Sequence, residues 1–327
     1  MLAPMEARLV EDIPKGSEWQ YEPKWDGFRC LAYKRAEEVE LIGKSGKSLR
    51  RYFPEIVEAL SRAHKPQTFV IDGELIIEID GRLSFDALQM RLHPAQSRIL
   101  QLSQKTPARL VAFDILFAAG KWITEQPFSE RREALEKFAD NLHSPLVSLT
   151  EATHRIATAR AWLQSGRTDT DGIVAKRLDI DYRFGERAML KIKRMRTADC
   201  VVGGFRYAQG GKTLGSLLLG LYDDEGLLHH VGFTSSVPIA DRPELTKQLL
   251  KLCAPESFTG DAPGRPSRWA TQRSAKWQPV RPLLVAEVRY DHVTGNRFRH
   301  GTKFLRWRPD KRPQQCRFDQ ISPNSRA

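Results

Sequence analysis

Glu22-Pro23-Lys24-Trp25-Asp26-Gly27-Phe28-Arg29 is the stretch on which the fold turns. A lysine is followed by an aspartate two residues on, a glycine after that, and an arginine five residues on. Behind it, Phe28–Tyr33 has the apolar character of a strand. Working outward, Val39–Ile42, Phe69–Ile79, Arg109–Phe117 and Gly172–Lys176 are further short runs of β-branched or apolar residues bounded by turn residues. Helical stretches sit between them. Phe53–His64 carries Ile56, Val57 and Leu60, and Ser129–Leu142 carries Leu135, Phe138 and Leu142. Ser129, ahead of Arg131-Arg132-Glu133, marks a helix start. Strands mixed with helices predict an α+β domain.

The texture changes after about Arg196. Cys200–Tyr207, Leu214–Tyr222, Leu227–Thr234 and Leu283–Tyr290 have strand character, with Gly-rich turns between them and one amphipathic helix over Pro243–Cys253. That pattern fits a small Greek-key barrel of the OB type, though pattern alone does not separate it from other small barrels. The expected organisation is an α+β domain over residues 1–196 and a β-barrel domain over 197–327. Ala254–Arg268, rich in Pro and Gly, is expected as a loop, and the residues from about Pro313 as a frayed tail.

The chain has 327 residues and a formal net charge of +12, a balance that suits an anionic partner, most simply nucleic acid. Residues 197–327 hold 20 Lys/Arg against 12 Asp/Glu, so the smaller part is the more basic one. Within Arg297 to Arg317 eight basic residues meet one acid, Asp310, and Phe298, Phe304 and Trp307 interleave them. Aromatic interleaving favours a structured surface over a solvated charge run. Cys30, Cys200, Cys253 and Cys316 are scattered and fit reduced thiols of a cytosolic protein. His64, His93, His154, His229, His230, His292 and His300 show no metal-ligand spacing. No apolar run approaches the ~20 residues of a membrane span.

Six further segments follow the opening stretch in order. They are Gly43-Lys44-Ser45-Gly46, Asp72-Gly73-Glu74, Ala112-Phe113-Asp114-Ile115-Leu116, Asp171-Gly172-Ile173-Val174-Ala175-Lys176, Lys191-Ile192-Lys193 and Arg306-Trp307-Arg308-Pro309-Asp310-Lys311. Each is weak singly. The ordered set resembles motifs I, Ia, III, IIIa, IV, V and VI of the covalent nucleotidyltransferases, and within them the compact bacterial ATP-dependent DNA ligases, namely ligase C and the ligase module of ligase D. The resemblance covers most of the chain. It implies an N-terminal adenylation domain and a C-terminal OB-fold domain.

What the resemblance implies for single residues has a chemical rationale. Lys24 attacks the α-phosphate of ATP and carries AMP as a phosphoramide. A lysine attacks only when neutral, and its ordinary pKa is about 10.4. Positive charge from a metal ion, or from Lys191 and Lys193, favours the neutral amine. Strand alternation puts Lys191 and Lys193 on one face, where both can stabilise charge developing on the phosphate. Lys176 stands five residues from Asp171, so a regular strand turns the two to opposite faces, and Lys176 reaches the phosphate only where Gly172 distorts the strand. Glu74 contacts the ribose or the metal. Asp171, where the family usually has glutamate, helps hold Mg²⁺ or Mn²⁺. Phe113 stacks on adenine, although the apolar run Leu110–Phe117 also suits core packing. Glu22 helps read the adenine, Asp26 belongs to the nucleotide-binding set, and Arg29 contacts the sugar or the nick phosphate. Lys44, where the family commonly has arginine, supplies a point charge for the 5′-phosphate without the bidentate fork. Arg50 and Arg51 are nearby alternatives in sequence. Arg308 and Asp310 orient the pyrophosphate leaving group, with Arg306 and Lys311 in the DNA-facing basic patch.

The function so implied is sealing of nicked or broken duplex DNA, in repair or end joining, by a cytoplasmic, nucleoid-associated monomer. Family context adds Ku and an end-joining polymerase as partners. Two other readings stay open. One is an RNA ligase or a GTP-using capping enzyme. The other is a non-catalytic nucleic-acid-binding module, against which the intact Lys24, Asp26, Glu74, Lys191 and Lys193 weigh.

Overall fold

A computed structural model of the chain describes residues 3–321 apart from 63–66, 143, 165–169, 256 and 265–275. The chain divides into two compact units, Met1–Arg194 and Met195–Ala327.

The first unit runs through β1 (Ala7–Leu9), β2 (Trp19–Trp25), β3 (Phe28–Arg35), β4 (Glu38–Gly43), α1 (Pro54–Ser61), β5 (Thr68–Ile79), β6 (Arg82–Leu83), α2 (Phe85–Arg91), α3 (Gln96–Lys105), β7 (Ala108–Ala118), β8 (Lys121–Trp122), α4 (Phe128–Asn141), β9 (Val147–Leu149), α5 (Ile156–Gln164), β10 (Thr170–Arg177) and β11 (Met189–Lys193). Its strands make two sheets. The larger has the order β4-β3-β5-β7-β8, with β6 and β9 on its flanks, and the smaller has the order β1-β11-β10-β2. Phe53, Ile56 and Leu60 around α1, with Leu135 and Phe138 of α4, bury one face of the larger sheet against Phe69 and Ile71. Each such side chain contributes ~1.5–3 kcal/mol by leaving water. Leu31, Val70 and Leu116 of the larger sheet meet Met5 and Met189 beside the smaller one, with Tyr182 between them. This second contact joins the sheets and fixes what lies between them.

The two helices expected from sequence are present, but α4 starts at Phe128 and Ser129 does not cap it. Its first amides instead bond to Ile180 O and Leu178 O, both at 2.9 Å. Helices α2, α3 and α5 and strand β2 had no sequence expectation. Ser84 starts α2 by accepting from Ala87 N at 3.2 Å, a local N-cap.

The second unit holds β12 (Arg196–Tyr207), β13 (Leu214–Tyr222), β14 (Leu228–Thr234), α6 (Arg242–Lys251), β15 (Gln278–Pro279), β16 (Val285–Tyr290), β17 (Val293–Thr294), β18 (Arg297–Phe298) and β19 (Lys303–Trp307). The main sheet has the antiparallel order β14-β13-β12-β16-β19. Its two ends meet: Thr302 N donates to Phe233 O at 3.1 Å and Thr234 Oγ1 to Thr302 O at 2.9 Å. Five strands closed in this way, with α6 between β14 and β16, form an OB-type barrel.

The frayed tail expected from Pro313 is corrected as far as Ile321. Short 3-10 turns cover Pro313–Gln315 and Phe318–Ile321, and Cys316 and Ile321 are buried in the barrel core. Tyr222 N donates to Cys316 O at 2.8 Å. Cys316 and Ile321, with Phe318 packed beside them, anchor this segment, and their polar neighbours hide them in the sequence. The expected loop Ala254–Arg268 lies partly outside the described residues. The four cysteines are free thiols, and only Cys253 is exposed. Among the described residues no helix is long and apolar enough to cross a membrane.

Candidate active site

Between the two sheets of the first unit lies an open cleft of about 200 Å³. Glu22, Lys24, Arg29, Lys44, Glu74, Phe113, Lys176 and Lys191 all line it. The opening stretch forms its floor. On β2, Glu22 and Lys24 alternate onto the same face. The chain then reverses at Asp26-Gly27. A side chain at Gly27 would bring its first carbon to 2.1 Å from Leu75 O, so this turn tolerates only glycine.

Lys24 Nζ donates to Asp171 Oδ2 at 2.9 Å, and the same oxygen lies 3.3 Å from Lys193 Nζ. Asp171 therefore stands between two of the lysines expected at the α-phosphate. Lys191, on the same face of β11 as Lys193, is pushed toward the neutral amine by burial first and then by Lys24, Lys193 and Lys44.

Strand β10 carries a bulge. Its register on β2 passes from Thr170↔Trp25 to Ile173↔Pro23, three steps against two. Gly172 sits there at φ +142°, where a first side-chain carbon would lie 2.0 Å from Ile192 O. The extra residue resets the alternation, so Asp171 and Lys176 both turn to the cleft. Lys176 is 3% exposed and fully used: Nζ lies 2.8 Å from Glu22 Oε2 and donates to Phe113 O at 2.8 Å. Gln20 Nε2 donates to the other carboxylate oxygen of Glu22 at 2.9 Å.

A second bulge, on β7, places Phe113. Asp72 pairs with Asp114 and Gly73 with Ala112, leaving Phe113 as the extra residue. Phe113 is 8% exposed, with the Arg29 guanidinium 4.4 Å and Lys176 Nζ 4.7 Å from its ring centroid. Arg29 is held by both oxygens of Asp72 at 2.6 Å each, and Tyr182 Oη donates to Asp72 Oδ2 at 2.5 Å. The Tyr182 hydroxyl in turn accepts Met5 N–H at 2.9 Å, tying the N-terminal wall of the cleft to its floor. Glu74 pairs across strands with Arg29, and burial lifts its carboxyl to about 7 against the pull of Arg29 and Lys24.

Asp26 lies at the turn rather than in the cleft lining, near enough to Glu74 to raise its carboxyl further. Lys44 is an exposed rim residue whose Nζ lies 2.9 Å from Glu6 Oε1. Arg51 is committed elsewhere, to Pro94 O and Gln96. Asp72, Tyr182, Met5 and Glu6 were not assigned roles from the sequence. Asp72 is the first residue of the Asp72-Gly73-Glu74 motif, but nothing local marks Tyr182 or Glu6.

Arg306, Arg308, Asp310 and Lys311 belong to the second unit. Arg308 Nη1 donates to Asp199 at 2.9 and 3.0 Å, while its Nε and Nη2 bind Asp310 at 2.8–3.2 Å. Lys311 Nζ donates to Asp199 Oδ2 at 2.7 Å and Arg306 Nε to Glu287 Oε2 at 2.7 Å. Arg308 holds the Asp310 carboxyl down at about 2.

Comparison with known proteins bears on these two sets of residues together. Residues 1–193 match the family described as the ATP dependent DNA ligase domain, and residues 210–311 the ATP dependent DNA ligase C terminal region. DNA ligase C2 of Mycolicibacterium smegmatis is 42% identical over 336 residues, 98% of this chain and 94% of that protein. The multifunctional non-homologous end joining DNA repair protein LigD of Mycobacterium tuberculosis is 29% identical over 307 residues, 92% of this chain and 37% of that protein. The crystal structure of the ligase domain of that protein superposes with a TM-score of 0.50 at 28% identity, covering 96% of this chain and 97% of that one.

Proposed function

Since the chain belongs to the ATP-dependent DNA ligase family, we propose that Lys24 is its nucleophile and that the cleft around Lys24 carries the adenylate. The observation that carries this reading is the position of Lys24 Nζ in the cleft, with Asp171, Lys191 and Lys193 gathered about it. In the first step Nζ leaves Asp171, sheds its proton and bonds to the α-phosphorus of ATP, and pyrophosphate departs. Lys191 and Lys193 stabilise the charge that grows on the α-phosphate oxygens. In the second step an oxygen of a DNA 5′-phosphate attacks the same phosphorus, the P–N bond breaks, and Lys24 regains its proton. In the third, the 3′-hydroxyl attacks the activated 5′-phosphorus and AMP leaves.

The remaining assignments rest on the family resemblance, and the contacts within the cleft are compatible with those made there. Glu22, fixed by Lys176 and Gln20, reads the adenine edge, and Phe113 offers the base an aromatic face. Asp26, Arg29 and Lys176 complete the nucleotide set. Arg308 and Asp310 serve the pyrophosphate, and Lys44, Arg306 and Lys311 the DNA backbone. The carboxylates of Glu74 and Asp171 are hard oxygen donors of the kind Mg²⁺ or Mn²⁺ takes beside nucleotide phosphates. Such an ion, when bound, neutralises phosphate charge. We extend the reading to repair of broken ends in the cytoplasm, on the nucleoid, by a monomer working beside Ku and an end-joining polymerase.

The test is sealing of a 5′-labelled nicked duplex with ATP and Mg²⁺, beside GTP and a Lys24→Ala variant. The expected result is a sealed product and a covalent AMP adduct that need ATP, both lost by at least ~10⁴-fold in the variant. An adduct formed from GTP, or joining confined to RNA, overturns the reading.

A further inference from the structure

In the second unit Asp199 is a buried carboxylate that the motif pattern did not single out. It lies on β12, far in sequence from the residues it holds. Its two oxygens take Arg308 Nη1 at 2.9 and 3.0 Å, and one of them takes Lys311 Nζ at 2.7 Å. Asp310 grips the opposite edge of the same guanidinium through Nε and Nη2. Arg308 is thus clamped on two sides, with its plane and its remaining N–H directions set. A planar fork recognises phosphate bidentately, so the orientation of its plane decides which oxygens it can reach once a carboxylate gives way.

Asp199 is itself fixed from the C-terminal turn. Its N–H donates to Gln320 Oε1 at 2.9 Å, and Gln320 Nε2 donates back to Asp199 O at 3.2 Å. Tyr290 Oη donates to Gln320 O at 3.3 Å, and Ile321 is sunk in the barrel core beside it. A chain of contacts therefore runs from Ile321 and Gln320 through Asp199 to Arg308 and Lys311.

We propose that Asp199 and Gln320 are positioning residues, which set Arg308 in the geometry needed for the first, nucleotide-dependent step and for no later one. This rests on the reading that Arg308 serves the pyrophosphate leaving group. Neither residue touches the reacting atoms. A purely structural role would lower every step alike, whereas a positioning role falls on adenylation alone.

The test uses the full chain and the variants Asp199→Asn, Gln320→Ala and Arg308→Ala. Three quantities are measured: the rate and KM of covalent AMP adduct formation with ATP, sealing of a nick whose 5′-phosphate already carries AMP, and the thermal midpoint. Asp199→Asn is expected to slow adduct formation about tenfold, the size of one charge-assisted hydrogen bond. Gln320→Ala is expected to slow it several-fold. At saturating DNA, where any change in the Lys311 contact to the DNA backbone does not limit the rate, both are expected to seal the preadenylated nick within about twofold of the parent, since this step needs no pyrophosphate departure. Equal losses in both assays would make the network merely structural, and faster adduct formation by Asp199→Asn would make Asp199 a competitor of phosphate. Either result, or no loss at all, overturns the proposal. Arg308→Ala separates the two levels: unimpaired adduct formation there refutes the underlying assignment of Arg308, while a defect there with a normal Asp199→Asn refutes this inference alone.

Discussion

In the first unit the charged side chains of the cleft find partners across long stretches of sequence: Lys24 with Asp171, Lys176 with Glu22, Arg29 with Asp72. In the second, Arg308 takes one partner from two residues away, Asp310, and only its other edge reaches back to β12. The first set is buried between sheets, so strand register fixes it before any ligand arrives. In the second, Arg308 is no more exposed than Arg29 or Lys24, but its partner Asp310 is 61% exposed, so exchanging that carboxylate for a phosphate costs little desolvation. A group that forms a covalent intermediate in one step and releases it in the next gains from the first design. A group needed for one leaving group gains from the second.

That contrast can be broken or sharpened by mutation. Lys193→Ala should slow adduct formation by about 10²–10³-fold, the usual cost of losing one preorganised partner at the reacting phosphate, as read in single-turnover assays with labelled ATP. Glu22→Ala should remove ~3–5 kcal/mol of stability, because it leaves Lys176 buried without its carboxylate. A urea midpoint close to that of the parent would mean that the buried pairs are not the rigid frame described above. Glu74 adds a pH signature. Burial raises its carboxyl from an ordinary 4.5 to about 7 in the folded chain. The protonated form is thus favoured by folding, and its contribution is complete below about pH 4.5 and is lost as pH rises through about 7. Glu74→Gln should therefore flatten the fall in stability between those values, measured as thermal midpoint against pH. Arg306→Ala, in the exposed set, should change stability by only ~0–1 kcal/mol. A larger loss would place the second unit in the same class as the first.

The residues of the cleft were largely legible in the sequence, because chemistry fixes both type and spacing at the motifs. The backbone that aims them was less so. Strand β2 escaped notice because Gln20, Glu22 and Lys24 face a polar cleft, which erases the apolar alternation that marks a strand. Phe113 and Asp171 both depend on bulges, which no period-two pattern reports. Tyr182, Glu6 and Asp199 act through partners more than a hundred residues away, or across a fold not visible in one dimension. The tail from Pro313 misled for a related reason: Cys316 and Ile321 are too few to form a periodic signal, although both are buried. The two-domain character of the chain was easier, since barrel strands and Gly-rich turns differ plainly in texture from what precedes them.

Gly172 has a consequence for the heredity of this site. A strand sorts its side chains by parity, and evenly spaced residues share a side. Asp171 and Lys176 are an odd distance apart and still share one, because this glycine inserts a half-step between them. The position thus stores one bit of information about which charges Lys24 meets. Any side chain there either breaks the strand against Ile192 or flattens the bulge and deals Asp171 to the opposite side. A change that adds or removes no charge would then rewrite the electrostatics of the nucleophile.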